Sequence, residues 1–276
     1  GVTSPIIING LSNGTAYTFT VTATNSVGTG TGTTSGSVTP DAMANNINVS
    51  SSSSTELLTL TPVSDVVVEN GVLLTINTPI NINSLTISGG GQVTNTSSLT
   101  ASTMTINSNG ENGTGTYNDY GGTTNVSSAT VNQYIASTQT GVNGRNWYIS
   151  SPVGAALSST IINATGNSLV GYTESTGQWD NAGTSMDVMK GYIAVSPAQN
   201  TTVAFSGGTL NTGLQSISNL SYNGATKRGF NLIGNPYPSY LNWDDATISN
   251  VLTTIWYRSK STGSYLFQTY NSAGNQ

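Results

Sequence analysis

The chain has 276 residues, and only 6% of them are charged, against about 25% in an average soluble protein. Thr, Ser, Asn and Gly make up more than half of the sequence, which favours strands and tight turns and predicts an all-β protein with a hydroxyl-rich surface. Residues 1–144 hold no Lys or Arg, and the chain has no Cys or His. Nucleic acid is therefore not an expected partner, and the usual zinc ligands, Cys nucleophiles and His-based triads are excluded.

Residues 1–40 form the first predicted segment. The pattern "YTFTVTATN" (residues 17–25) alternates apolar residues with Thr, as a half-buried strand does. The longer stretch "NGLSNGTAYTFTVTATNSVGTGTGTTSGSVTP" resembles the last strands of a bacterial fibronectin type III domain. That resemblance implies a corner formed by Leu11 and Tyr17. Three strands cannot bury a core alone, so the segment needs the rest of a sandwich or another surface; a plain hairpin is the alternative.

Residues 41–55 include five consecutive serines and are predicted to be a linker. In the next segment, residues 56–137, the sequences "LLTIN", "SLTIS" and "TMTIN" repeat at spacings of 11 and then 19 residues. Each short strand has one apolar face that it cannot bury without stacked neighbours. The repeats therefore predict a short parallel β-helix or solenoid, and the irregular spacing keeps an antiparallel sandwich as the alternative.

Residues 138–276 contain all four Trp residues and many short alternating runs. We predict a β-sandwich of jelly-roll type with an aromatic core. The sequences "RNWYISSPV" and "GFNLIGNPYP" echo each other and are interpreted as equivalent strands in its two halves. No segment has a clear helical period, although "NWDDATISNVL" could open a short helix.

The stretch "GFNLIGNPYPSYLNWDDA" (residues 229–246) has the densest cluster of aromatics and prolines. Pro236 and Pro238 fix their own φ angles and bias the preceding residues to extended geometry. We interpret the stretch as a strand that ends in a corner, with Trp243 folding back into the core. Adjacent Asp244 and Asp245 diverge on either a strand or a helix, so they are predicted to cap a turn and not to catalyse.

No catalytic residue is predicted, and calcium is the one cofactor considered. Asp180, Asn181 and Asp187 could supply its oxygen ligands, although no known loop pattern accompanies them. Glu174 lies across a turn from Asp180, as expected either for a solvated loop or for an acid pair. Tyr172 and Trp179 are candidates for contact with a glycan, with burial in the core as the alternative.

Five stretches of the third segment together resemble a module of large secreted proteins of Bacteroidota. They are "NWYISSPV", "YTESTGQWD", "KGYIAV", "VAFSGGTLNTG" and "GFNLIGNPYPSYLNWD". In that family the module follows β-repeat or fibronectin-like segments and precedes a sorting domain for the type IX secretion system. The resemblance implies an extracellular or outer cell-surface location and a chain that is a fragment of a longer protein. It provides no catalytic residues.

The leading hypothesis is a non-enzymatic structural or adhesive region, an adhesin stalk, with surface glycans or other cell-surface proteins as expected partners. The first alternative is a carbohydrate-binding module of a secreted polysaccharide-active protein. The second is a β-helix polysaccharide lyase or hydrolase, which would need paired acids in one groove. Direct membrane insertion is not expected, because no apolar run is long enough.

Overall fold

The computed structural model describes residue 8 and residues 10–40, 45–136, 146–195, 199–224, 229–261 and 264–271. Strands dominate these residues, which confirms the predicted all-β class. The strands are β1 Thr20–Val21, β2 Thr24–Asn25, β3 Gly28–Thr29, β4 Thr33–Thr34, β5 Asn45–Val49, β6 Ser53–Ser54, β7 Ser64–Val68, β8 Leu73–Ile76, β9 Ile80–Ile87, β10 Gln92–Asn95, β11 Ser98–Ile106, β12 Ser108–Asn109, β13 Gly113–Thr114, β14 Thr116–Asn118, β15 Thr123–Ile135, β16 Asn146–Ile149, β17 Leu169–Thr173, β18 Gln178–Asn181, β19 Tyr192–Val195, β20 Thr201–Phe205, β21 Thr254–Ser261 and β22 Ser264–Asn271. The helix α1 spans Ser158–Thr165, and 3-10 turns span Thr55–Leu57 and Trp243–Asp245.

Two parallel sheets form the centre of the fold. The large sheet contains β5, β7, β9, β11 and β15 in that order, all parallel, followed by the antiparallel strand β20 at its edge. The small sheet contains β6, β8, β10 and β14, which are also parallel. Because the chain alternates between the sheets, each turn of the chain adds one strand to each of them. This connectivity is that of a short solenoid.

The register of the large sheet places like residues above one another. One inward row holds Val66, Leu85, Met104 and Ala129, and a second holds Val68, Ile87, Ile106 and Val131. All of these side chains are buried, while the residues between them point outward. A slip of one residue would turn every inward side chain to solvent, so the apolar pattern fixes the register.

A buried amide holds one corner of the stack. The Asn95 side chain donates to the Tyr117 hydroxyl and to the Thr123 carbonyl, both at 3.1 Å, and its Oδ1 accepts from the Ser97 amide at 3.1 Å. The Tyr117 hydroxyl also pairs with Thr124 Oγ1 at 2.6 Å, and burial raises the pKa of this tyrosine. Asn95 can therefore be fully buried, since its amide is satisfied by hydrogen bonds.

The stack begins earlier than the sequence indicates. Residues 45–54, predicted as part of a linker, contain β5 and β6, which pair with β7 and β8. Ile47 and Val49 continue the inward rows, and Ser52 Oγ accepts from the amide of Leu73 at 3.2 Å. The serine run thus supplies short polar side chains at a turn between two strands. Residues 41–44 lie outside the described part of the chain.

The N-terminal segment is a hairpin exposed on both faces. Its two strands pair antiparallel from the Tyr17–Val38 bridge to the Asn25–Gly28 pair, which flanks the turn. The Tyr17 hydroxyl accepts a hydrogen bond from the Ser12 amide at 3.0 Å, and the corner between Leu11 and Tyr17 stays a prediction. Most of its residues are exposed, including Val21, so the described part of residues 1–40 buries no core of its own.

The C-terminal segment has less regular structure than predicted. An antiparallel four-stranded sheet contains β16, β19, β17 and β18 in that order, and β21 and β22 form a separate hairpin. The remaining described strand of this segment, β20, pairs with β15 of the large sheet. The sandwich of two facing sheets stays a prediction. The helix α1 was not predicted, because "SSTIINAT" is rich in β-branched residues that favour strands. Burial of Ile161 and a left-handed cap at Gly166 (φ 67°) favour the helix in this context.

Aromatic side chains contribute less to the core than predicted. Tyr192 and Phe205 are buried, but the four Trp residues are half-buried or exposed, and Trp179 and Trp256 are each 45% exposed. The buried residues around them are mainly aliphatic. The aromatic content of this segment therefore lies mostly at its surface.

Replacing Ile87 with Ala tests the stacked rows. Ile87 is fully buried between Val68 and Ile106, so the cavity should lower the free energy of unfolding by about 2–5 kcal/mol. The neighbouring Thr86 points outward, and Thr86→Ala should change it by less than about 0.5 kcal/mol. Urea unfolding measures both, and equal effects would contradict the assigned register.

Candidate functional site

The stretch around Pro236 forms a junction, here called the Pro corner (residues 235–238). Ser150 Oγ donates to the Asn235 carbonyl at 2.6 Å, and the Asn211 side chain donates to the Pro236 carbonyl at 3.1 Å. The Pro238 carbonyl accepts from the Tyr117 amide at 2.9 Å. Pro236 and Pro238 are both buried. The corner therefore ties the C-terminal segment to β14, at the end of the small sheet.

The two echoing sequences contact each other directly. Residues 232–234 run antiparallel to residues 189–191, and Gly234 donates to the Met189 carbonyl at 2.8 Å. β16, from the earlier sequence, pairs with β19 immediately beyond. A Cβ on Gly234 would collide with Ser150. Ser150, in the earlier sequence, thus packs against Gly234 and Asn235 in the later one.

The residues after the corner differ from the prediction. Asn242 caps the 3-10 turn, because its side chain accepts from the Asp244 amide at 3.3 Å. Asp244 instead accepts from the Tyr270 hydroxyl at 2.7 Å, and Asp245 accepts from the Asn242 side chain. Trp243 is only half-buried, and its indole N–H donates to the Thr253 carbonyl at 3.0 Å. It fixes the approach to β21 and does not plug the core.

A polar cavity opens on the four-stranded sheet, with a volume of about 250 Å³. The predicted calcium ligands Asp180, Asn181 and Asp187 all line it, so the structure brings them to one place. Gly171, the partner of Asp180 across β17 and β18, is buried at its edge. The remaining lining residues are Thr173, Ala182, Gly183, Thr184, Ser185, Lys190 and Tyr192.

Charge in the cavity does not favour a metal. Lys190 Nζ lies 3.6 Å from Asp187 Oδ2 and 5.7 Å from the centre of the Tyr192 ring. Such an ammonium competes with a divalent cation for the same carboxylate. Within the part of the chain that the structure describes, no three Asp, Glu, His or Cys side chains are grouped to hold a metal ion. The donor set therefore does not fit the calcium hypothesis well.

The predicted glycan contacts lie on the other face of the sheet. Tyr172 and Trp179 are cross-strand partners, with ring centres 5.2 Å apart and planes tilted by 53°. Because successive residues of a strand point to opposite faces, these rings project away from Gly171 and Asp180. Trp179 remains 45% exposed. The two sets of candidate residues thus form separate surfaces.

Glu174 is buried and joins three residues that are distant from it in sequence. Its carboxylate accepts from Ser221 Oγ at 2.7 Å, from the Asn223 amide at 2.8 Å and from the Gly229 amide at 2.9 Å. These hydrogen bonds, led by that from Ser221, lower the pKa of Glu174. Its partners are distant in sequence, so the sequence offered no signal for this role. The carboxylate is thus engaged by Ser221, Asn223 and Gly229 and is not hydrogen-bonded to Asp180.

Searches of protein-family models, curated proteins and solved structures give no match to this chain. No helix among the described residues is long and apolar enough to cross a membrane.

Replacing Gly234 with Ala tests the Pro corner. The added methyl group would overlap Ser150, so the free energy of unfolding should fall by about 1–3 kcal/mol. Gly183 provides the control, since a Cβ there meets nothing within 4 Å, and Gly183→Ala should cost less than about 0.5 kcal/mol. Chemical denaturation compares the two; an unaffected Gly234→Ala protein would contradict the packing.

Acid should weaken the Glu174 contact. The lower folded-state pKa means that its stabilisation is complete above the unfolded-state value of about 4.5 and is lost as the pH falls through the folded-state value. We expect Glu174→Gln to be less stable than wild type at pH 7, with a smaller difference at pH 3. Glu111→Gln, at an exposed position, is the control. Denaturation midpoints across this range measure the effect, and a constant difference would contradict it.

Proposed function

We propose that this chain is a non-enzymatic structural and adhesive region of a secreted bacterial cell-surface protein. The observation that carries the proposal is the parallel stack, whose outer face is almost free of charge. The inward rows give the stack a rigid shape, and the outer face offers hydroxyl and amide groups. A scaffold of this kind presents a surface without needing a reaction centre.

The outer face of the large sheet repeats polar residues in register. Three outward rows hold Asn81, Thr100 and Asn125; Ser84, Thr103 and Ser128; and Thr86, Thr105 and Thr130. Strands in a sheet lie about 4.7–4.9 Å apart, so these groups form short ladders. Asp65 pairs with Ser84 and so extends the second row. Its carboxylate accepts hydrogen bonds from the side chains of Asn83 and Ser84. This face supports adhesion to neutral, hydroxylated material.

The location and export route are also proposals. The resemblance to Bacteroidota modules supports the cell surface and type IX secretion. The resemblance to fibronectin type III strands supports a multidomain, stalk-like context. The exposed N-terminal hairpin agrees with a segment that packs on further structure.

A polysaccharide-degrading enzyme is the less favoured alternative. Glycoside hydrolysis needs one carboxylic acid with a raised pKa, which burial commonly provides. Asp180 and Asp187 share a cavity, but both are exposed, and Asp187 is paired with Lys190. Glu174 is buried, yet its hydrogen bonds favour the ionised form.

Incubation with a panel of polysaccharides separates adhesion from catalysis. We expect the protein to be retained on insoluble neutral polysaccharide while the concentration of reducing ends and unsaturated products stays constant. Release of products by wild-type protein, with loss on Asp180→Asn, would replace the proposal with an enzymatic function.

Charge placed on the outer face should weaken that retention. The double variant Thr103→Glu, Thr105→Glu adds two carboxylates there, and binding should fall by about tenfold, equivalent to roughly 1.4 kcal/mol. Thr20→Glu, Thr22→Glu adds the same charge to the exposed N-terminal hairpin and should leave retention unchanged. Equal losses in the two variants would indicate a general charge effect and contradict the assigned surface.

A further inference from the structure

Building on the adhesive role, we propose that the polar cavity on the four-stranded sheet binds one sugar residue of a neutral glycan. The cavity is distinct from the outer face of the stack and from the Tyr172 and Trp179 pair. It gives the adhesive region a specific ligand class in addition to a broad contact surface.

Gly171 lies at the edge of the cavity, where two other lining side chains come close to its backbone. A Cβ at this position would lie 3.2 Å from Lys190 Cε and 3.5 Å from the Tyr192 ring. Glycine is unfavourable within a strand, because it adds entropy cost and no packing. Here its missing side chain allows Lys190 and Tyr192 to lie close to the strand, on the same face as Asp180. A larger residue would press on both side chains and change the edge of the cavity.

The polar groups around this space are mixed in kind. Asp180 and Asp187 provide carboxylates, Lys190 provides an ammonium group, and Thr173 and Ser185 are among the residues that add hydroxyls. Tyr192 holds the loop in place, because its hydroxyl accepts from the Asp187 amide at 2.8 Å. Hydrogen-bond donors and acceptors therefore surround one cavity, which is formed by the four-stranded sheet and by the turn that Tyr192 holds in place.

This set selects a neutral polyol over other ligand classes. Two carboxylates repel an anion, and Lys190, 3.6 Å from Asp187, opposes a metal cation. A polar rim offers little to an apolar ligand. Sugar hydroxyls can donate to the carboxylates and accept from the ammonium group at the same time. The volume of about 250 Å³ suits one ring, below the range of about 300–1,000 Å³ that is usual for drug-sized ligands.

Titration of the whole protein with single free sugars tests the site. The probes are glucose, galactose, mannose, xylose and N-acetylglucosamine, followed by amide NMR shifts or calorimetry. We expect at least one sugar to bind saturably with a dissociation constant near millimolar, about 4 kcal/mol, and to perturb residues 171–192. Absence of saturable binding by every probe would overturn the proposal.

Three variants locate the binding. Gly171→Val fills the space with a strand-favouring side chain, and Asp180→Asn keeps the shape while removing a charge; each should weaken binding by about tenfold or more. Trp179→Ala alters the opposite face and should leave binding unchanged. Loss of binding on Trp179→Ala, with Asp180→Asn at wild-type affinity, would assign the sugar to the aromatic face and overturn the cavity site.

The result can be separated from the broader adhesive role. Circular dichroism and denaturation midpoints establish whether each variant is folded. If Gly171→Val does not fold, Asp180→Asn still tests the cavity. If the protein is retained on polysaccharide but no free sugar binds, the cavity site alone is refuted. If sugars bind in the cavity but retention is absent, the proposed role of the outer face is refuted.

Discussion

The centre of the fold depends on the in-register stacking of parallel strands. Val68, Ile87, Ile106 and Val131 lie above one another because each coil returns to the same place in the large sheet. No single coil can bury such a residue on both sides, so the stability of each depends on its neighbours. Shape and stability thus arise from one repeated contact between apolar side chains.

The same stacking restricts the outward residues. In-register strands place equivalent side chains about 4.7–4.9 Å apart. Like charges repel at this distance, and opposite charges would have to alternate from one coil to the next. Thr, Ser and Asn avoid that cost and can bond along the ladder. Asp65 is tolerated because its register neighbours Asn46 and Ser84 are neutral, and Ser84 donates to it. The low charge of this region is therefore consistent with its architecture.

Sequence patterns predicted the parts of the fold that rest on local repetition. The repeated apolar-Thr-Ile pattern indicated stacked strands, and "NPYP" indicated a corner. The start of the stack at β5 was missed because its serines resemble a linker, and α1 was missed because its residues favour strands. The Glu174 contacts join residues about fifty positions apart, and the cavity is lined by residues of separate strands and by Gly171, which has no side chain to signal a site. The Glu174 contacts and the cavity both depend on how distant segments pack together, and the periodicity of the sequence does not encode that packing.

A parallel stack also needs an end, because its last strands leave unpaired backbone groups that could recruit other chains. In the large sheet β20 pairs antiparallel with β15, and in the small sheet the Pro238 carbonyl accepts from Tyr117. The C-terminal segment thus closes both sheets at one end. Gly234, packed on Ser150, lets the Pro corner reach β14. The most distinctive stretch of the sequence therefore joins the stack to the sheet that carries the polar cavity, and a rigid junction there would hold the two proposed binding surfaces in a fixed relation.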